Sequence, residues 1–161
     1  MRTVLFSLLL ALASPLAPAA EHAHHAPAAG QGHATEGLAL SLNQGQRWQT
    51  DAALRQGMTR LHELLQPQLG AIRQHTLPAA TAAQLGRQIE QQVAEIVANC
   101  KLDTKADAML HRVIAALQAS ASAMQQARSA HQAVQGARQA VAAVNGYGRH
   151  FQHPGWVALA D

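Results

Sequence analysis

Ten histidines and one cysteine stand in a chain of 161 residues that has only 12 Lys and Arg and 9 Asp and Glu. Imidazole nitrogens and a thiolate are the donors copper and zinc take, whereas magnesium and calcium want oxygen. Four of the histidines, His22, His24, His25 and His33, fall where Pro27, Gly30 and Gly32 break any helix and no hydrophobic period runs. Several imidazoles in such a short segment capture copper, nickel or zinc weakly and adaptably.

A second set lies further along. Asp107 and His111 are four apart, and so share one face of a helix. They read as two ligands, as a ligand with its supporting carboxylate, or as a solvated pair. His150 and His153 are three apart near a helix end, where imidazoles serve as ligands or as caps on the helix dipole. Cys100 continues the apolar spacing of Ile89, Val93 and Ile96, which suits a small buried hydrophobe. A free thiol in an oxidising compartment is also a liability, and metal ligation or an intermolecular disulfide joining a homodimer would account for it. Met58 and Met109 offer thioethers, though their helical spacing suits a core.

Other chemistries are not supported. The chain has no glycine-rich phosphate loop, nucleophile elbow or His-Glu-x-x-His, so no catalytic activity is expected. One cysteine excludes a disulfide scaffold and a zinc site of four cysteines from one chain. The formal charge of +3 is too small and scattered for a nucleic-acid surface.

The elements that must position these residues begin after a leader. Met1-Arg2-Thr3, the apolar run Val4 to Leu12 and the small residues Ala17-Pro18-Ala19 read as a signal peptide over 1–19. The run is shorter than the ~20 residues that span a bilayer, so a soluble periplasmic protein is expected, not one embedded in the membrane. Residues 20–42 read as a disordered His-rich arm, 43–156 as a four-helix bundle and 157–161 as a C-terminal tail.

Trp48, Leu54, Met58, Leu61 and Leu65 mark the buried face of the first helix, which Pro67 kinks or ends. Leu69 and Ile72 carry the pattern on to about His75. Thr81 is a candidate cap for a second helix with Leu85, Ile89, Val93, Ile96 and Val97 buried. Thr104 to Asp107 resembles a capping box before a third helix through Met109, Leu110, Val113, Ile114, Leu117 and Met124. The fourth starts near Ser129, runs through Val134, Val141, Val144 and Tyr147, and stops by Pro154-Gly155. The fold class expected is all-α, an antiparallel up-down-up-down four-helix bundle.

That topology gathers Trp48, Cys100, Asp107, His111, His150 and His153 at one pole. His75 and His131 go to the other, with His62 part way along. A tight site of Cys100, His111 and His150 or His153, with Asp107 as ligand or support, is the expectation.

In export signal, helix number and size, residues 45–156 resemble periplasmic cytochrome b562-like proteins. The likeness is carried locally by Ala108-Met109-Leu110-His111 and by Asn145-Gly146-Tyr147-Gly148-Arg149-His150-Phe151. The resemblance implies non-covalent haem b for electron transfer, held by a Met near the start of helix one and a His near the end of helix four. Those positions fall at Trp48 and on or near Gly148. His150 is two residues displaced from its expected place and Met58 about ten. Without Cys-x-x-Cys-His, covalent c-type haem is excluded. The stretch from Cys100-Lys101-Leu102 to His111 and the ending His153-Pro154-Gly155-Trp156 also look like those of uncharacterised exported bacterial bundle proteins.

The leading expectation is a non-catalytic copper- or zinc-binding protein for capture, handling or sensing. Haem-mediated electron transfer is the alternative, and a helical module whose ligand is another polypeptide is the third.

Overall fold

A computed structural model describes residues 38–160, and its first helix starts where a carboxylate takes a free helix-end amide. Asp51 Oδ1 accepts the Leu54 N–H at 2.7 Å and opens α1, Ala52–Leu65. Pro67 cannot donate to the helical ladder, so Gln66–Gln68 tightens into a 3-10 turn before α2, Leu69–Arg73. The first helix is therefore kinked and continued.

α2 closes in a Schellman motif. Thr76 N–H donates to the Ala71 carbonyl at 2.9 Å and His75 N–H to Ile72 at 3.3 Å. His75 occupies the left-handed position that such a motif normally gives to glycine, with φ at 58°.

Three longer helices follow: α3, Ala79–Asn99; α4, Thr104–Gln125; and α5, Ala130–His150. Two caps differ from expectation. Pro78, with φ already fixed near its helical value, precedes the first turn of α3, so Thr81 lies inside the helix. Asp103, not Thr104, caps α4, its carboxylate accepting from Lys105 N–H and Ala106 N–H at 3.0 and 3.1 Å. Ser129 caps α5 as expected.

These helices pack α3 on α4, α4 on α5 and α1 on α3, with further contact of α5 with α1, α2 and α3. The described residues are all-helical apart from loops and two isolated bridges, and contain no strand. Small residues set the spacing. A Cβ on Gly86 would lie 2.6 Å from the Ala121 carbonyl oxygen, so α3 and α4 meet there backbone to backbone. Leu54, Met58, Leu61, Leu65, Leu85, Ile89, Val93, Ile96, Leu110, Val113, Leu117, Met124, Val134, Val144 and Tyr147 are all buried. Val97 is not: at 60% exposure it sits one residue round from Ile96, past the edge of the buried stripe.

Both chain ends of the described region close over one end of α5. Trp48 is buried, yet it precedes the helix. It pairs with Phe151 in a parallel bridge in which Trp48 N–H donates to the His150 carbonyl and Gln152 N–H to that of Trp48, each at 2.8 Å. Residues 38–42, expected in the arm, instead lie on the bundle through their apolar side chains. Leu38 and Leu40 cover Gly146, and Ser41 accepts from Trp48 Nε1 at 2.6 Å. The C-terminal tail is likewise docked. Leu159 is 4% exposed, and its backbone N–H and carbonyl both bond the Asn145 side chain. The leader and His22, His24, His25 and His33 lie outside the described residues. No helix among those described is long and apolar enough to cross a membrane.

Candidate functional site

Cys100 follows the last turn of α3, its N–H donating to the Ile96 carbonyl at 2.9 Å, with the thiol partly buried. Burial pushes its pKa up, and the nearby Asp51 and Asp107 carboxylates add to the shift. The thiol thus stays protonated at neutral pH, which works against its use as a thiolate ligand. Asp51 was not singled out in the sequence. Its Oδ1 caps α1 and its Oδ2 accepts the Lys101 N–H, so it ties the start of α1 to the α3–α4 connection. An Asp just ahead of an apolar helical period was the signal that could have found it.

Asp107 and His111 do meet. His111 Nδ1 lies 3.3 Å from Asp107 Oδ2 and 2.9 Å from the Asp107 carbonyl oxygen, on an exposed turn of α4. His150, at the end of α5, repeats half of this arrangement: its Nδ1 is 2.8 Å from the Gly146 carbonyl oxygen. A carbonyl oxygen can only accept, so in both rings Nδ1 carries a proton, and in the neutral imidazole the lone pair then falls on Nε2. Backbone carbonyls and carboxylates orient metal-binding histidines in this way.

His153 is held differently. Its Nδ1 is 3.0 Å from the Tyr147 hydroxyl, and its ring packs on Trp156 with centroids 4.8 Å apart. His62 reaches the same indole from α1, 5.3 Å away and edge-on. The sequence set His62 apart from the pole, because nothing in helical spacing reveals that Trp156 folds back over α5. Gly148 admits the indole: a Cβ there would lie 2.1 Å from Trp156 Nε1. The result is a ring cluster of His62, Tyr147, His153 and Trp156, beside the charge of Arg55.

The five expected ligands therefore do not converge. Cys100 stands near Asp107 and Asp107 pairs with His111, while His150 and His153 hold separate partners. Among the described residues no three His, Cys, Asp or Glu side chains form a group that could hold a metal ion. The residues at the haem positions do not fit axial ligation. Trp48 is buried and bonded to Ser41, Gly148 lies beneath the Trp156 indole, and Met58 is wholly inside the core. His75 and His131 are placed apart as well: His75 Nε2 accepts from Arg138 Nη2 at 3.0 Å, and His131 lines an open polar groove by the α4–α5 turn.

Burial, then Arg55, holds the His153 imidazole below its ordinary value of 6.5. The folded chain consequently binds fewer protons than the unfolded chain just below pH 6.5. The stability this gives is complete above that pH and is lost as pH falls through the lowered value. Urea unfolding from pH 7.5 to about 5 should show a steeper acid loss in the wild type than in His153→Gln. Parallel curves would mean that His153 does not contribute to the slope.

Comparison with protein-family models, with curated proteins and with solved structures returns no match for this chain.

Proposed function

We propose that this chain is a non-catalytic metal-binding protein of the periplasm, taking copper ahead of zinc for capture, handling or sensing. The observation that carries the reading is the pair of histidines, His111 and His150, whose Nδ1–H groups are held by carbonyls of their own helices. Each ring is fixed in the tautomer that offers Nε2 to an incoming ion. His111 has in addition the Asp107 carboxylate at 3.3 Å, a second oxygen that orients the ring. His22, His24, His25 and His33 add a dense run of the same donor by sequence. Copper comes first because imidazole nitrogens follow the affinity order that peaks at Cu(II).

The scaffold belongs to the same proposal: an antiparallel up-down-up-down bundle. Its support is the pairing of early turns with late ones. Gly57 of α1 faces Ile96 of α3, Gly86 of α3 faces Ala121 of α4, and Gly136 of α5 faces Met124 of α4. The reading Met1-Arg2-Thr3 to Ala19 as a leader supports export.

The test is elemental analysis and copper titration of the full chain purified from periplasm without chelator. Copper is expected to be bound. His111→Ala with His150→Ala should weaken one class of site by about tenfold or more, and Asp107→Asn should weaken it less. Replacing His22, His24, His25 and His33 with Ala should remove a separate, weaker class. Uptake unchanged in a chain lacking all six imidazoles, or no uptake by the wild type, would overturn the proposal.

A further inference from the structure

We infer that the face shared by α2, α5 and the C-terminal segment binds a small aliphatic monocarboxylate. A cavity of about 260 Å³ lies there, lined by Leu69, Ile72, Arg73, Arg138, Val141 and Ala160. Its floor belongs to the core: Leu69, Ile72 and Val141 are each under a tenth exposed, so the walls are fixed before any ligand arrives. The volume lies just below the ~300–1,000 Å³ of drug-sized sites, which sets the ligand as small.

The rim supplies the charge. Arg73 ends α2 and Arg138 stands midway along α5, so two arginines from separate elements line one cavity with an apolar floor. Among the described residues the ion pairs are Arg60 with Glu95 and His111 with Asp107, and neither arginine of the cavity takes part in one. A planar guanidinium matches a carboxylate through two parallel hydrogen bonds. The floor then selects an aliphatic body over a bare inorganic anion, which would leave it uncovered.

His75 is the second, independent observation. It holds a left-handed backbone where the Schellman motif of α2 would be relaxed with glycine. Arginine can only donate, so in the 3.0 Å contact His75 Nε2 is the acceptor for Arg138 Nη2. Strain of this kind persists where the residue has a task. Here the task is to aim the Arg138 guanidinium, which glycine could not do, so His75 acts as a positioning residue.

Asp161 follows Ala160 and lies outside the described residues; its carboxylate shares the ligand's chemistry, so the test must separate the two. The full chain is titrated calorimetrically with hexanoate, acetate and inorganic phosphate at low ionic strength, without metal, which keeps the result independent of the copper proposal. Hexanoate is expected to saturate at one equivalent, with acetate and phosphate about tenfold or more weaker. Arg73→Gln and Arg138→Gln should each weaken hexanoate by about tenfold or more, with thermal melts reporting that both fold. His75→Gly should raise the melting temperature yet weaken hexanoate, whereas a purely structural His75 would change only the melt. No saturable binding, phosphate equal to hexanoate, affinity indifferent to both arginine variants, or hexanoate binding that appears only in Asp161→Asn would overturn the proposal. The last result would assign the cavity to the chain's own carboxylate.

Discussion

Phe151→Ala is expected to lower the unfolding free energy by about 3–5 kcal/mol, the range for deleting a fully buried aromatic ring. Phe151 has no exposed surface, and its ring stacks on Tyr147 at a centroid separation of 5.1 Å and 15° between planes. Its backbone closes α5, donating to the Tyr147 carbonyl at 2.8 Å, and forms the bridge to Trp48. Removing the ring leaves a void beside Tyr147, and neither Tyr147 nor the bridged Trp48 has freedom to fill it. Trp48 is held by its indole bond to Ser41 and Tyr147 by its place in the α5 stripe. Equilibrium urea unfolding measures the loss, and Phe151→Leu should recover more than half of it. A loss below about 1 kcal/mol would show that this end of the molecule collapses around the gap.

Phe151 also marks the boundary of what the sequence could disclose. Helical period placed nearly every buried aliphatic correctly, because each helix buries a single stripe against its neighbours and the stripe repeats in the sequence. Val97 failed only by lying at the stripe's margin. Caps were harder: Thr81 and Asp103 are both plausible cap residues, and φ at Pro78 and the side chain of Asp103 decided which positions begin the helices. Trp48 was the deeper error. Its spacing from Leu54 mimics a helical face, while its burial comes from an extended segment that pairs with the chain beyond α5.

The site was legible in its local pairs and not in its long-range ones. Asp107 and His111 meet because four residues make one helical turn, whatever surrounds them. His62 and His153 share Trp156 because Gly148 leaves room for an indole, a coincidence of three elements that no spacing encodes. Cys100 shows the converse. It lies near Asp107, yet the consequence is a thiol held protonated first by burial, then by Asp51 and that carboxylate. Proximity of ligand types is thus a weaker guide than the protonation state which the surroundings enforce.

Asn145→Ala should release the C-terminal segment at a cost of about 1–3 kcal/mol for each backbone group left without its partner. Asn145 is 4% exposed and clasps Leu159 at two points: Nδ2 donates to the Leu159 carbonyl at 3.0 Å, and Oδ1 accepts the Leu159 N–H at 2.9 Å. A side-chain amide can satisfy a donor and an acceptor together, and alanine can satisfy neither. The tail then gives up the burial of Leu159, and Ala160 leaves the wall of the cavity by α2. Amide hydrogen exchange should show Leu159 losing protection while amides in the middle of α4 keep theirs, the pattern of local rather than global opening. Asn145→Asp gives a sharper contrast. An ionised carboxylate keeps the acceptor but faces the Leu159 carbonyl with no proton to donate, so this variant should be worse than alanine at neutral pH and recover once acid protonates the group. Protection of Leu159 that survives in Asn145→Ala would mean that burial of its side chain, and not the amide clasp, holds the tail against α5.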